Sequence, residues 1–192
     1  MRWMSSLLLF TACIVSSQSW AQVQPSAQKG GLRLGVGGGI DYWQGDYNSI
    51  SRVGPSAWVT AHLWRGVGVI VEGHSMIAGG DNAKHADEYK YYSGDGGITY
   101  TYYHWHRFEP FAKAEVGFSS LSFPHSATAT YTHDTRTTWA IGGGAEYHMV
   151  GHLWARGDYT WDNFPNFYST VTGQHNTLNP HGVTVGATWH LR

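Results

Sequence analysis

The chain has a single cysteine, Cys13, among its 192 residues. It lies in an N-terminal stretch typical of a secretory signal: Arg2 supplies the positive end, Met4 to Val15 is largely apolar, and Ser19 to Ala21 provides small residues for cleavage. We therefore predict a signal peptide over residues 1–21, Sec-type export, and a mature protein with no thiol for disulfides, metal binding or nucleophilic catalysis. Lipidation at Cys13 stays open, because the residues before it match a lipoprotein cleavage box poorly.

Charge is also scarce. Charged residues make up 13% of the chain, against roughly 25% in a typical soluble domain. The net charge is −1 and the basic residues are scattered, which argues against nucleic acid as a partner. Beyond the signal, no stretch approaches the roughly 20 apolar residues that a membrane-spanning helix needs. If the mature chain crosses a membrane, it does so with strands.

Apolar and polar residues alternate for about ten positions at a time, between breaks at glycine, asparagine, aspartate or proline, and this period of two indicates β-strands. We predict eight strands, with ends uncertain by a few residues: Leu32–Trp43, Gly54–Trp64, Val67–Ile77, Gly97–Trp105, Phe108–Phe118, Thr137–Tyr147, Leu153–Trp161 and Gly182–Leu191. Residues 22–31 form a predicted flexible leader, and residues 32–192 a single barrel domain.

The connections between these strands alternate in length. Those around Arg65, Arg107 and Gly151 are tight, whereas Gln44–Val53, Ala78–Gly96 and two further segments are long. Short turns at the inner end and long loops at the outer end are typical of outer-membrane β-barrels. The glycine runs Gly37–Gly39 and Gly142–Gly144 suit a bent, closely packed barrel wall.

One face of each strand is apolar and almost free of charge, with Val36, Val59, Val71, Val116 and Val185 among its members. The other face carries a few acids and bases, which we predict to pair inside the barrel and plug its lumen, since an unpaired ion there would lose its hydration. This predicted interior network consists of Arg33, Glu72, Lys113, Glu115, Glu146, Arg156 and Asp158. A soluble lipocalin-like barrel, with the faces exchanged, is the alternative.

Tryptophan lies towards both ends of the predicted strands. This distribution predicts two interfacial aromatic girdles in contact with outer-membrane lipid. One girdle would contain Trp43, Trp58, Trp139 and Trp161, and the other Trp64, Trp105, Trp154 and Trp189.

With these features, the whole mature chain resembles the small outer-membrane β-barrel family that contains the OmpA transmembrane domain and OmpX. The resemblance implies a closed antiparallel transmembrane barrel in the outer membrane of a Gram-negative bacterium. It also implies recognition of the last strand by the barrel assembly machinery. Val183 to Leu191 has the expected alternation, but an extra Arg192 follows Leu191, which departs from the terminal aromatic residue of the family.

Twelve histidines raise the question of metal or acid–base chemistry. Those near the predicted inner ends are His62, His104, His106, His148, His152 and His190, which we interpret as interfacial polar residues. A metal site needs three or four convergent ligands, and His104 with His106 offers at most two, so we expect no metal and no cofactor. His74-Ser75 and His125-Ser126 are the adjacent pairs that a hydrolase would use, but no acid is evident to orient either histidine.

The sequence thus favours a non-enzymatic outer-membrane scaffold whose loops carry specificity for an unidentified extracellular ligand. The alternatives are a small porin-like channel or a conduit for hydrophobic ligands. A lipid A-modifying enzyme is a further, weaker alternative.

Overall fold

The structure is a computed structural model that describes residues 32–45, 51–78, 90–105, 107–122, 133–169 and 174–191. Its strands are β1 (Arg33–Gln44), β2 (Ser51–Trp64), β3 (Val67–Ala78), β4 (Lys90–Thr101), β5 (Phe108–Ser122), β6 (His133–Val150), β7 (Leu153–Ser169), β8 (Gln174–Leu178) and β9 (His181–Leu191). The predicted signal peptide and leader lie outside the described residues. No helix in the described ranges is long and apolar enough to cross a membrane.

The strands form a closed wall. Each strand from β1 to β7 pairs antiparallel with the next, β7 pairs with β9, and β9 returns to β1. The short β8 stands outside this ring and pairs with the outer part of β7, from Phe164 to Ser169. The predicted eight-stranded antiparallel barrel is therefore confirmed, and closure leaves no unpaired strand edge in the wall itself.

Alternation along β3 shows how the sequence determines the two faces. Ile70 and Glu72 are buried in the lumen, while Val69 and Val71, which alternate with them, point outward and are 41% and 62% exposed. Because successive side chains of a strand point to opposite faces, one residue in two lines the interior. The outer surface is correspondingly rich in exposed valine, isoleucine and aromatic residues.

Tight turns join the strands at one end of the barrel. Between β2 and β3 the backbone has positive φ angles at Arg65 (46°) and Gly66 (89°), the conformation that a two-residue hairpin turn requires. Gly151, between β6 and β7, also has a positive φ of 58°. The longer connections join the opposite ends of the strands, as predicted for an outer-membrane barrel.

Several strand boundaries differ from the prediction, mostly at the long-loop end. β4 begins at Lys90 and ends at Thr101, so the last seven residues of the predicted Ala78–Gly96 loop are strand, because Gly94 and Gly96 pair with β3 and β5. β5, β6 and β7 also extend further than predicted. β8 was not predicted. Turn-forming residues predict a strand end at these positions, but pairing with a neighbouring strand overrides their local propensity.

Candidate functional site

A network of charged side chains crosses the middle of the lumen. The Lys113 ammonium on β5 contacts the Glu72 carboxylate on β3 and lies 3.3 Å from both Glu115 Oε2 and Asp158 Oδ1. These four side chains are all at most 5% exposed. A buried ammonium is tolerated when carboxylates surround it in this way. One lysine thus joins three strands across the barrel.

Arg156 on β7 is the second cation of the network. Its Nη2 donates to Glu72 Oε1 at 2.6 Å and its Nε donates to Asp158 Oδ2 at 2.8 Å. The guanidinium also lies over the rings of Trp58 and Phe111, 4.5 Å and 4.7 Å from their centroids. Each of these rings stabilises the guanidinium through a cation–π contact. The section of the lumen at this level is filled by protein.

Trp58 fits inside the wall because glycines face it. A Cβ atom on Gly37 would overlap the indole of Trp58, and one on Gly186 would lie 2.7 Å from it. The indole Nε1 donates to Thr188 Oγ1 at 3.0 Å. The glycine runs therefore make room for a large interior ring, a specific form of the close packing predicted for the wall.

A second polar cluster, centred on Asp41, lies towards the long-loop end. Ser56 Oγ and Thr184 Oγ1 each donate to Asp41 Oδ1 at 2.8 Å, and His74 Nδ1 lies 2.8 Å from Asp41 Oδ2. The sequence prediction that no acid orients His74 is wrong, since Asp41 comes from a different strand. Ser56 bonds to Asp41 rather than to His74, and Ser75 points outward, so neither of these two serines is positioned as a nucleophile on this histidine.

The short-turn end of the lumen is polar and open. Arg33 Nη1 pairs with Glu109 Oε2 at 2.9 Å, and Glu146 accepts bonds from Thr188 Oγ1 at 2.7 Å and from His190 Nε2 at 2.8 Å. A cavity of about 390 Å³ lies at this end, and its lining includes Arg33, Glu109, Trp154 and His190.

Tyr103 lies in the turn next to this mouth, with the Arg33 guanidinium 5.6 Å from its ring centroid. Partial burial raises the pKa of Tyr103 to about 12. Its phenol is therefore neutral at physiological pH, and its contact with Arg33 is through the ring face rather than through a phenolate.

The long-loop end of the lumen is closed by apolar side chains, which we call the outer cap. It consists of Trp43, Met76, Tyr91, Leu121 and Phe164, each at most 4% exposed, with Leu178 packed against them. The cavity beside it measures only about 20 Å³, roughly the space of one water molecule. The Tyr91 hydroxyl donates to Asp162 Oδ2 at 2.9 Å, which links the outer cap to the polar interior.

The structure places all seven residues of the predicted interior network on the luminal side. Five of them meet in one cluster around Lys113 and Arg156 or border it, whereas Arg33 and Glu146 lie nearer the short-turn end. The predicted network did not include the other luminal charged and histidine side chains that the structure reveals: Asp41, Arg52, His62, His74, Asp95, Glu109, Asp134, Asp162 and His190. Their position in the alternation was the available signal, because each shares the parity of a predicted luminal residue on its strand or faces one across the ladder.

Three of the eight predicted girdle tryptophans are not in a girdle. Trp43, Trp58 and Trp154 are 2%, 2% and 8% exposed and point into the lumen. The prediction used their position along the strands and ignored their parity, which is opposite to that of the apolar face. The remaining tryptophans face outward or are partly exposed: Trp64, Trp105, Trp139, Trp161 and Trp189.

The histidines also divide between two environments. His62 and His190 point into the lumen, with ring centroids 6.2 Å apart, which differs from the predicted rim position. His104, His148 and His152 lie at the short-turn rim, and His106 falls outside the described residues. In the part of the chain that the structure describes, no three His, Cys, Asp or Glu side chains are arranged to hold a metal ion.

Comparison with known proteins assigns this architecture to a family. A model of the outer membrane protein beta-barrel domain matches residues 5–190. The chain belongs to this family. No curated protein matches the chain, but solved barrels share its fold.

Three solved structures illustrate the similarity. Neisserial surface protein A is 9% identical with a TM-score of 0.61, over 82% of this chain and 96% of its own. Ail of Yersinia pestis, in complex with the heparin analogue sucrose octasulfate, is 14% identical with a TM-score of 0.57, over 83% and 99%. OprG of Pseudomonas aeruginosa is 11% identical with a TM-score of 0.57, over 85% and 97%. At these identities the likeness establishes the fold alone.

Proposed function

We propose that this outer-membrane barrel is a non-enzymatic, non-conducting scaffold that presents its long connections to the exterior for interaction with a partner. The observation that carries the proposal is the central network, in which Lys113 and Arg156 join carboxylates from β3, β5 and β7 across the lumen. An ion crossing this section would have to separate buried, hydrogen-bonded charge pairs, at a cost of several kcal/mol.

The outer cap provides a second, chemically different barrier. Trp43 and Phe164 are 2% and 1% exposed, and apolar constrictions of this kind exclude water from a pore. A solute would therefore meet a dry plug at the long-loop end and an ionic one in the middle. Two barriers in series favour the scaffold over the channel and the hydrophobic conduit.

The long connections carry a net negative charge. Segments 45–50, 79–89, 123–132 and 170–173 contain Asp46, Asp81, Asp87 and Glu88 against a single lysine, Lys84, and no arginine. Ail is described with a polysulfated sugar, but acidic connections would repel such a polyanion. The charge favours a basic or uncharged partner for this protein.

Planar-bilayer recording of the refolded mature protein tests the closed lumen. We expect no regular open state at neutral pH, after a gel of boiled and unboiled samples has established that the reconstituted protein is folded. Steady single-channel currents would overturn the proposal in favour of a porin-like channel. Mass spectrometry of lipid A from cells with and without the protein tests the non-enzymatic part, and a gained or lost acyl chain would contradict it.

A loop replacement tests whether the connections are separable from the barrel. Replacing residues 81–88 by a glycine–serine linker of equal length should leave the folded fraction on the same gel unchanged, because the ladders of β3 and β4 end outside this segment. Loss of folding would show that the connection belongs to the barrel structure and is not free for a partner.

A further inference from the structure

The short turns of the barrel form one continuous arc. Thr101 N donates to Gly66 O at 2.8 Å, which ties the end of β4 to the turn between β2 and β3. His148 N donates to Arg107 O at 2.8 Å, which ties the turn between β4 and β5 to the end of β6. Three successive turns are thus neighbours on the inner rim rather than independent loops.

Aromatic side chains on this arc are exposed. Trp64 and Trp105 are 66% and 57% exposed. The Trp105 ring stacks on Phe108 with 5.8 Å between centroids, and Tyr102 stacks on His104 at 4.5 Å. Exposed aromatic rings at the end of a transmembrane strand are typical of the membrane–water interface.

The same arc is basic. Residues 64–67, 102–107 and 150–152 contain Arg65 and Arg107, together with histidines, and no aspartate or glutamate. The Arg65 guanidinium lies over the Trp64 ring, 4.7 Å from its centroid. Among the described residues neither Arg65 nor Arg107 has an acidic partner, in contrast to Arg33, which is neutralised by Glu109. Two arginines at the rim therefore have donors free for a ligand.

The opposite end has the reverse charge, with four acids and one lysine in its long connections. An anionic surface would thus attract the short-turn end and repel the long-loop end. Barrel orientation places short turns on the periplasmic side, so the basic end lies at the inner leaflet of the outer membrane.

We propose that the basic aromatic arc, with Arg65 and Arg107 as its cations, is a binding site for the headgroup phosphate of anionic phospholipids of the phosphatidylglycerol class in the inner leaflet. The guanidinium groups donate to phosphate oxygens, for which their fork geometry is well suited. The indole rings of Trp64 and Trp105 lie at the same depth as the arginines and contact the boundary between acyl chains and headgroups. This assignment does not depend on whether the lumen conducts.

Native mass spectrometry of the folded mature protein in detergent, titrated with phosphatidylglycerol or phosphatidylcholine of the same acyl chains, tests the proposal. Both lipids carry a phosphate, but only the former has a net negative charge. An arginine near an anionic lipid surface is worth roughly five-fold in affinity. We expect Arg65→Gln/Arg107→Gln to bind phosphatidylglycerol about 25-fold more weakly, the product of two such effects, and phosphatidylcholine as the wild type does.

Arg136→Gln is the matched control for either single arginine variant, since it removes one positive charge from the outer part of β6, where the side chain is 39% exposed. It should leave the preference unchanged, and Arg65→Lys/Arg107→Lys should retain most of it. Raising the ionic strength of the wild-type sample should reduce the preference, because exposed charges are screened. A wild type without preference, or an Arg136→Gln variant that loses it equally, would refute the site.

Discussion

Replacement of Lys113 by methionine is the sharpest perturbation of the interior. Methionine keeps an unbranched side chain of similar length and removes only the ammonium, which contacts Glu72 and lies 3.3 Å from Glu115 and Asp158. In this variant Arg156 still forms ion pairs with Glu72 and Asp158. Glu115 has no other cation among its described contacts, so it becomes an uncompensated buried carboxylate.

Removing one partner of a buried ion pair typically costs about 3–5 kcal/mol. We therefore expect Lys113→Met to lower the free energy of unfolding by about 3–5 kcal/mol, since Lys113 is 4% exposed and little solvent screens the loss. Lys113→Met/Glu115→Gln should recover roughly 1 kcal/mol or more, because the variant lacks the orphaned charge and contacting residues are coupled by this order of energy.

Guanidinium unfolding of the refolded protein in detergent micelles, followed by tryptophan fluorescence, measures these differences. Arg136→Met is the control, because its pair with Asp134 is partly exposed at 39%, and such pairs contribute about 1 kcal/mol or less. A Lys113→Met variant within 1 kcal/mol of the wild type, with no recovery in the double variant, would show that the network does not stabilise the barrel.

Two further results follow from the packing of the wall. Gly39→Ala should reduce the folded fraction on a boiled-versus-unboiled gel, since its Cβ would lie 2.6 Å from a backbone oxygen of β9. Gly157→Ala is the control and should fold as the wild type does, because its Cβ would meet nothing within 4 Å. Equal folding of the two variants would contradict this packing. In single-tryptophan variants, brominated acyl chains should quench Trp64 and Trp105 and spare Trp58, according to their exposure of 66%, 57% and 2%. Quenching of Trp58 would show that its face has been assigned wrongly.

Much of the fold was predictable because a closed barrel repeats one simple rule. The alternation of Val69, Ile70, Val71 and Glu72 in β3 determines which side chains meet lipid, and the same rule applies to every strand. Strand ends were less predictable. Residues such as Asp95 and Gly96 favour turns in isolation, but their pairing with β3 and β5 keeps them in the sheet.

The candidate site was predictable in kind but not in its pairing. Charged residues on the luminal face predict that an interior network exists. Which groups pair depends on the register between strands, and the alternation within one strand does not determine that register. The bond between Asp41 and His74 joins β1 to β3 across β2, so it requires two registers to be known. The wrongly assigned tryptophans could have been placed correctly from the sequence. Trp58 lies between the outward residues Ala57 and Val59, so the alternation alone predicts that it points into the lumen.

The two ends of the lumen differ in a way that affects its exchange with solvent. The outer cap closes the lumen under the long connections, whereas a cavity of about 390 Å³, lined in part by Trp154, opens at the short-turn end. Small aqueous reagents should therefore approach the central ions through this cavity, from the short-turn end, rather than past the outer cap.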